Sequence, residues 1–254
     1  MKKEINLLKN EIIDDLEFKN LKIIQNTDGF KFGIDSILLS DFASKNIKKN
    51  DIICDFGTGS GIIGILLCGK TSLKKIYGIE IQEEVSKMAV KSVLLNHLQD
   101  KFEIINDNIK NLKNHSSLKP NSFDLIVSNP PYKKLGTGII NSNNKKQISR
   151  HEISASFEDF VIEAKRLLKS KGSFIFIHQT DRLTELISIL KKYSFEAKEI
   201  RFIHPKANEN SNLVLIKAVK GASSSLKVFK PLYVYTNDGS YTKEIYKIYS
   251  KKEN

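Results

Sequence analysis

The chain has little cysteine and no long apolar run, and each shortage removes a class of protein. Its two cysteines, Cys54 and Cys68, both lie inside apolar segments. Neither a disulfide framework nor a cysteine-based metal site is supported, and a reducing, cytoplasmic setting fits. No window approaches the roughly 18 consecutive apolar residues of a membrane-spanning helix. Residues Met1 to Asn10 mix lysines with acids and carry no continuous apolar stretch, which argues against a signal peptide. His97, His115, His151, His178 and His204 show no metal-ligand spacing with the cysteines, so no metal is expected and local hydrogen bonds are.

What is abundant is positive charge. The formal net charge is +12 and the pI near 9.4. This favours an anionic partner, nucleic acid ahead of an acidic membrane surface. The lysine, asparagine and isoleucine richness of an AT-rich genome would give the same charge without any partner. With 40% hydrophobic and 28% charged residues the composition is that of an ordinary globular protein, and 254 residues can bury a sizeable core.

The order of the chain gives the fold class. Leu21 to Ile24 reads as a strand or hairpin, and Asp35 to Ala43 as an entry helix with a broad apolar face. From Asp51 strands and helices alternate, the signature of a doubly wound, mostly parallel α/β sheet with helices on both faces. Strands are expected at 52–56, 75–81, 102–105, 123–128, 173–178, 197–203 and 212–219, seven in all, with helices after the glycine turn 57–61 and over 82–97, 157–168 and 181–192. The connection Pro205 to Ser211 is too short for a helical crossover, so the last two strands must run antiparallel. No domain boundary stands out. One domain over 1–254 is expected, with an N-terminal extension (1–50), a core (51–220) and a basic, tyrosine-bearing tail (221–254). The polar loop Lys133 to Ser149 has little to bury and could act as a substrate-gripping lid. Arg150-His151-Glu152 could open a helix or line the substrate mouth.

Two stretches carry chemistry. The first is Asp55-Phe56-Gly57-Thr58-Gly59-Ser60-Gly61-Ile62-Ile63-Gly64. Gly59, Gly61 and Gly64 spell a dinucleotide fingerprint, G-x-G-x-x-G, with Glu80 about twenty residues on, so a hydride-transfer enzyme is one reading. Against it stands Asp55, which would repel a pyrophosphate but suits a ligand with an amino group and a sulfonium. The second stretch is Phe123 to Tyr132, a β-branched strand running into Asn129-Pro130-Pro131-Tyr132. Two prolines fix the turn and remove N–H donors, leaving an amide, bare carbonyls and an aromatic ring at a strand's C-terminal edge.

Asp55-x-Gly57-x-Gly59-x-Gly61 resembles the first motif of class I methyltransferases, which use S-adenosyl-L-methionine. Asn129-Pro130-Pro131-Tyr132 is similar to the motif of those that act on planar nitrogen. The flanks (Phe30-Lys31-Phe32-Gly33-Ile34-Asp35-Ser36-Ile37-Leu38-Leu39, Arg150-His151-Glu152, Phe202-Ile203-His204-Pro205, Pro231-Leu232-Tyr233-Val234-Tyr235 and Asp238-Gly239-Ser240-Tyr241-Thr242) resemble the bacterial tRNA(Val) adenine N6-methyltransferase family. The resemblance implies methylation of an unpaired adenine in tRNA, next to the anticodon, with tRNA as the partner and neither a membrane nor an obligate protein partner.

It implies that Asn129 and the Pro130 carbonyl accept hydrogen bonds from the target nitrogen, that Pro131 stiffens the turn and that Tyr132 stacks on the base. It assigns the cofactor to Asp35, Asp55, Gly57, Thr58, Gly59, Gly61, Glu80, Ile81, Asp107, Asn108 and Asn129. Within these, Glu80 would meet the ribose hydroxyls, and Asp107 with Asn108 the adenine. Lysines of the 133–149 loop and of the tail could neutralise tRNA phosphates, and the tail tyrosines could stack on loop bases. Glutamine N5-methyltransferases of release factors and guanine N2-methyltransferases of ribosomal RNA share the tetrapeptide, and remain alternatives.

Overall fold

The computed structural model describes residues 5–27, 33–132 and 155–249. The expected lid at 133–149, the Arg150-His151-Glu152 segment and Phe30 to Phe32 therefore lie outside the described residues. The elements are β1 (Glu11–Asp15), β2 (Lys22–Asn26), α1 (Ile34–Ser44), β3 (Ile52–Phe56), α2 (Ile62–Lys70), β4 (Lys75–Glu80), α3 (Glu83–Leu95), β5 (Phe102–Asn106), β6 (Phe123–Ser128), α4 (Phe157–Leu167), β7 (Leu168–Gln179), α5 (Leu183–Lys192), β8 (Phe195–His204), β9 (Leu213–Lys220), β10 (Lys227–Val228), β11 (Leu232–Tyr233) and α6 (Lys243–Ile248).

One sheet runs in the order β10-β8-β9-β7-β6-β3-β4-β5, with β11 also pairing along β8. The β5-β4-β3-β6-β7 run is parallel. As the short connection demands, β8 and β9 are antiparallel, and β9 inserts between β7 and β8. The seven expected strands are thus present, and two-residue strands from the tail extend the sheet to nine.

Strand alternation feeds two separate cores. Ile53, Leu125, Val127, Ile175 and Ile177 face α1 and α2, while Cys54, Phe56, Ile126, Phe174 and Phe176 face α4 and α5. Each fully buried ring, Phe56, Phe174 and Phe176 among them, contributes roughly 1.5–3 kcal/mol. The helix faces follow from spacing: Phe157, Phe160, Val161, Ala164 and Leu167 recur every three to four residues along α4 and are all buried. A Ser156–Asp159 capping box fixes where α4 begins.

The hairpin of β1 and β2 is a separate two-stranded sheet held against α3. The Ile24 N–H donates to Ser92 Oγ at 3.0 Å, the Asn96 amide bonds both ways with Lys22, and Lys91 pairs with Glu11 at 2.7 Å. The tail returns to the body: Leu232, Val234, Ile245 and Ile248 are buried in the core under α1. Its tyrosines stack on one another, Tyr235 on Tyr241 with centroids 5.4 Å apart and Tyr241 on Tyr249 at 5.7 Å. Among the described residues no helix is long and apolar enough to cross a membrane.

Candidate active site

Parallel strands deliver their C-terminal ends to one edge, and register decides which side chains meet there. Phe56 pairs with Ile79 on one side and with Ser128 on the other, and Glu80 pairs with Asn106. The ends of β3, β4, β5 and β6 therefore adjoin, carrying Asp55, Glu80, Asp107 and Asn129.

After β3 the chain turns through Gly57 and Gly59 at φ of 70° and 57°. Side chains other than glycine rarely hold these angles. A Cβ at either position would meet nothing within 4 Å, so these glycines serve backbone conformation and leave open space before the turn. Gly61, with φ of 89°, caps α2.

Asp55 is wholly buried. Thr58 Oγ1 donates to its Oδ2 at 2.6 Å, while Oδ1 is buried with no partner among the described residues. Burial pushes its pKa up to about 7, the Glu80 charge adding to the rise against the opposing pull of Thr58 and the Gly64 N–H. Glu80 is also buried, and desolvation raises its pKa too. Its two oxygens accept from the Gly59 N–H (3.1 Å) and the Gln82 N–H (2.9 Å), which ties the glycine turn to the end of β4. Two buried carboxyls behind an open glycine turn, one with a spare oxygen, suit a ligand bearing positive charge and hydroxyl donors. They oppose a pyrophosphate, and with it the dinucleotide reading.

At the end of β5 the Asn106 amide donates to the Glu80 and Ile81 carbonyls (2.8 and 3.2 Å), and Ile81 stands exposed beside them. Asp107 Oδ1 accepts from the Asn108 N–H at 2.6 Å, and its Oδ2 lies 2.6 Å from His115 Nε2. Asn108 caps the following turn by accepting from the Lys110 N–H. His115 is a partner that spacing did not reveal, because it follows a helical turn of its own.

At the end of β6, Ser128 Oγ donates to the Phe56 carbonyl at 2.8 Å and locks the two strand ends together. Pro130 is buried, Pro131 exposed, Asn129 and Tyr132 half-buried. The Tyr132 hydroxyl lies 2.8 Å from Asp35 Oδ2 and 2.9 Å from Asn129 Oδ1. Asp35, in the first turn of α1, thus meets the tetrapeptide directly. Beneath the ring lies His178, fully buried at the end of β7, with centroids 5.3 Å apart. Burial and the neighbouring Arg182 push its pKa down to about 4, so it is neutral at physiological pH. The sequence signal for His178 was its place at the end of the strand next to the tetrapeptide.

The tRNA1(Val) (adenine(37)-N6)-methyltransferase of Pedobacter heparinus is 27% identical over 234 residues, 92% of this chain and 95% of that protein. Pyrococcus horikoshii TYW2, solved in complex with MeSAdo, superposes with a TM-score of 0.58 at 15% identity, covering 85% of this chain and 73% of that one. A predicted O-methyltransferase from Agrobacterium tumefaciens gives 0.68 at 20% identity, covering 85% and 95%. At such identities the two structures speak to the fold alone. The sequence model of the methyltransferase domain matches residues 47–251, spanning both the acid-backed glycine turn and the Asn-Pro-Pro-Tyr edge, and the chain belongs to that family.

Proposed function

We propose that the protein methylates the exocyclic N6 of an unpaired adenine in tRNA, the base next to the anticodon of tRNA(Val) being the favoured target. S-adenosyl-L-methionine supplies an electrophilic methyl group when bound. Asp55 fits its cationic amino-acid end, through the carboxylate oxygen that lacks a partner among the described residues. Glu80 keeps acceptor capacity for the ribose hydroxyls beyond the two N–H bonds it already takes. The backbone of Gly57, Thr58, Gly59 and Gly61 lets the ligand approach closely, and Ile81, Asp107 and Asn108 flank its adenine.

The exocyclic nitrogen of adenine shares its lone pair with the ring and attacks a methyl group poorly. Two acceptors, the Asn129 side-chain oxygen and the Pro130 carbonyl, would hold its N–H bonds, aim it and stabilise the positive charge that grows on it. Tyr132 would stack on the base, which must leave its own stack to reach the site. The observation that carries this reading is the Phe56–Ser128 register, which sets the acid-backed turn and Asn129 on adjoining strand ends. The likeness to the Pedobacter heparinus enzyme along nearly its whole length supports tRNA as the substrate. A tRNA substrate and buried, free Cys54 and Cys68 suit the cytoplasm.

The test is incubation with methyl-labelled S-adenosylmethionine and unmodified bulk tRNA, followed by identification of the labelled nucleoside. N6-methyladenosine is expected, and Asn129→Ala should abolish it while changing cofactor affinity little. Label in a protein glutamine or in guanine, or full activity of the variant, would reject the reading.

A further inference from the structure

The Tyr132 hydroxyl has one proton and two oxygens in reach, Asp35 Oδ2 at 2.8 Å and Asn129 Oδ1 at 2.9 Å. It cannot donate fully to both. The carboxylate is the stronger acceptor, since a charged acceptor roughly doubles a hydrogen bond's strength. Asp35 also sits in the first turn of α1, where the helix dipole favours negative charge. Burial and the Asp35 charge raise the pKa of the phenol, so it keeps its proton at neutral pH. With that proton given to Asp35, an amide oxygen facing the phenol would set lone pair against lone pair. Turning the amide by half a rotation puts Nδ2 there instead, as a donor to the phenol oxygen. The oxygen and nitrogen of a side-chain amide are distinguished by such partners.

We infer that Asp35 and Tyr132 form a positioning pair that turns the Asn129 amide so that its oxygen faces away from the phenol, toward the nitrogen to be methylated. Asp35 then acts on the acceptor side of the reaction, through Tyr132, and is not a cofactor ligand. Without Asp35 the acceptor left to the phenol is Asn129 Oδ1, and the amide turns to offer its NH2 to a substrate that is itself a donor. The residue that should hold the nitrogen would then repel it. His178, packed under the ring, keeps the phenol from swinging away.

This inference rests on the proposed transfer to nitrogen and predicts a rescue that neither a structural nor a cofactor-binding role would give. Asp35→Ala should lower kcat on the order of 100-fold, the scale of losing one preorganised polar group in a transition state. Affinity for S-adenosylmethionine should stay within about threefold, a change worth under about 1 kcal/mol. Adding Tyr132→Phe to Asp35→Ala removes the misdirected proton but keeps the ring, and should recover about tenfold or more, a gain of about 1.4 kcal/mol. Asp35→Asn, a neutral acceptor that competes with Asn129 Oδ1 for that proton on equal terms, should fall between the parent and Asp35→Ala.

A double variant no faster than Asp35→Ala, or a loss of cofactor affinity matching the loss of rate, overturns the inference. If the parent protein transfers methyl to no nucleic acid or protein, the proposed function fails instead, and the amide is then read directly. In protein labelled with 15N-asparagine, one Asn129 side-chain N–H should be protected from solvent exchange and lose that protection in Tyr132→Phe. Equal exchange in the two proteins rejects the orientation.

Discussion

Replacing Asp55 by asparagine separates what this carboxyl costs the fold from what it does for the ligand. The folded carboxyl is fully buried with a pKa pushed up to about 7, against 3.8 for an unperturbed aspartate. Between those values the folded protein holds a proton that the unfolded chain has released. Stability therefore falls as pH rises from about 4 to about 7, and above that range the penalty is on the order of 4 kcal/mol, about 1.36 kcal/mol for each pH unit between the two values. Asparagine carries no charge and escapes this penalty. Its NH2 group, set where Oδ1 now lacks a partner, returns about 1–3 kcal/mol of it as an unsatisfied buried donor. Asp55→Asn should thus be more stable than the parent by about 1–3 kcal/mol at pH 8, and within about 1 kcal/mol of it at pH 5, where only about 1.6 kcal/mol of the penalty has developed and the unsatisfied NH2 offsets it. Urea unfolding at the two pH values measures the difference directly. Saturating S-adenosylmethionine should reverse the order at pH 8, because its cationic end binds the parent's carboxylate and stabilises only the folded state. A difference between parent and variant that does not change from pH 5 to pH 8 would refute the argument.

Two further substitutions test the frame around that carboxylate. Glu80→Ala should weaken S-adenosylmethionine binding by about 1–3 kcal/mol through lost charge-assisted hydrogen bonds, measured by calorimetry; unchanged affinity rejects the ribose role. Gly64→Ala would put a methyl group 2.3 Å from two carbons of the buried Phe102 ring. It should lower stability by about 1–3 kcal/mol as an overpacked core, with thermal or urea unfolding as the measurement. A neutral outcome there would mean that the glycine is present for the ligand rather than for helix-to-sheet packing.

The parallel core was legible because a strand buried on both faces leaves a continuous apolar run. Ile52 to Cys54, Leu125 to Val127 and Phe174 to Ile177 are such runs, and their helices carry regular apolar stripes. The reversed last strand was legible from loop length alone. The tail was not, for a physical reason: its buried residues, Leu232, Val234, Ile245 and Ile248, are spread among lysines and tyrosines. Strands of two residues have no period to detect. What pins them is the edge of β8, to which they bond in parallel, and that edge exists only after the sheet has formed.

The site divides along the same line. Backbone-encoded parts could be read, because a glycine turn after a strand and a proline-stiffened turn each require particular residue types. Side-chain partnerships across strand ends could not. Asp35 and Tyr132 are 97 positions apart, and only the packing of α1 beside β7 brings the carboxylate to the phenol. His178 is brought beneath the same ring by the β6–β7 pairing, which matches Ser128 with Phe176 two residues earlier. Sequence identifies which groups the reaction needs; the proton inventory among Asp35, Tyr132 and Asn129 governs whether the acceptor faces its substrate. For that reason the rescue of Asp35→Ala by Tyr132→Phe is the sharper test of the site, since a list of essential residues would predict that two losses are worse than one.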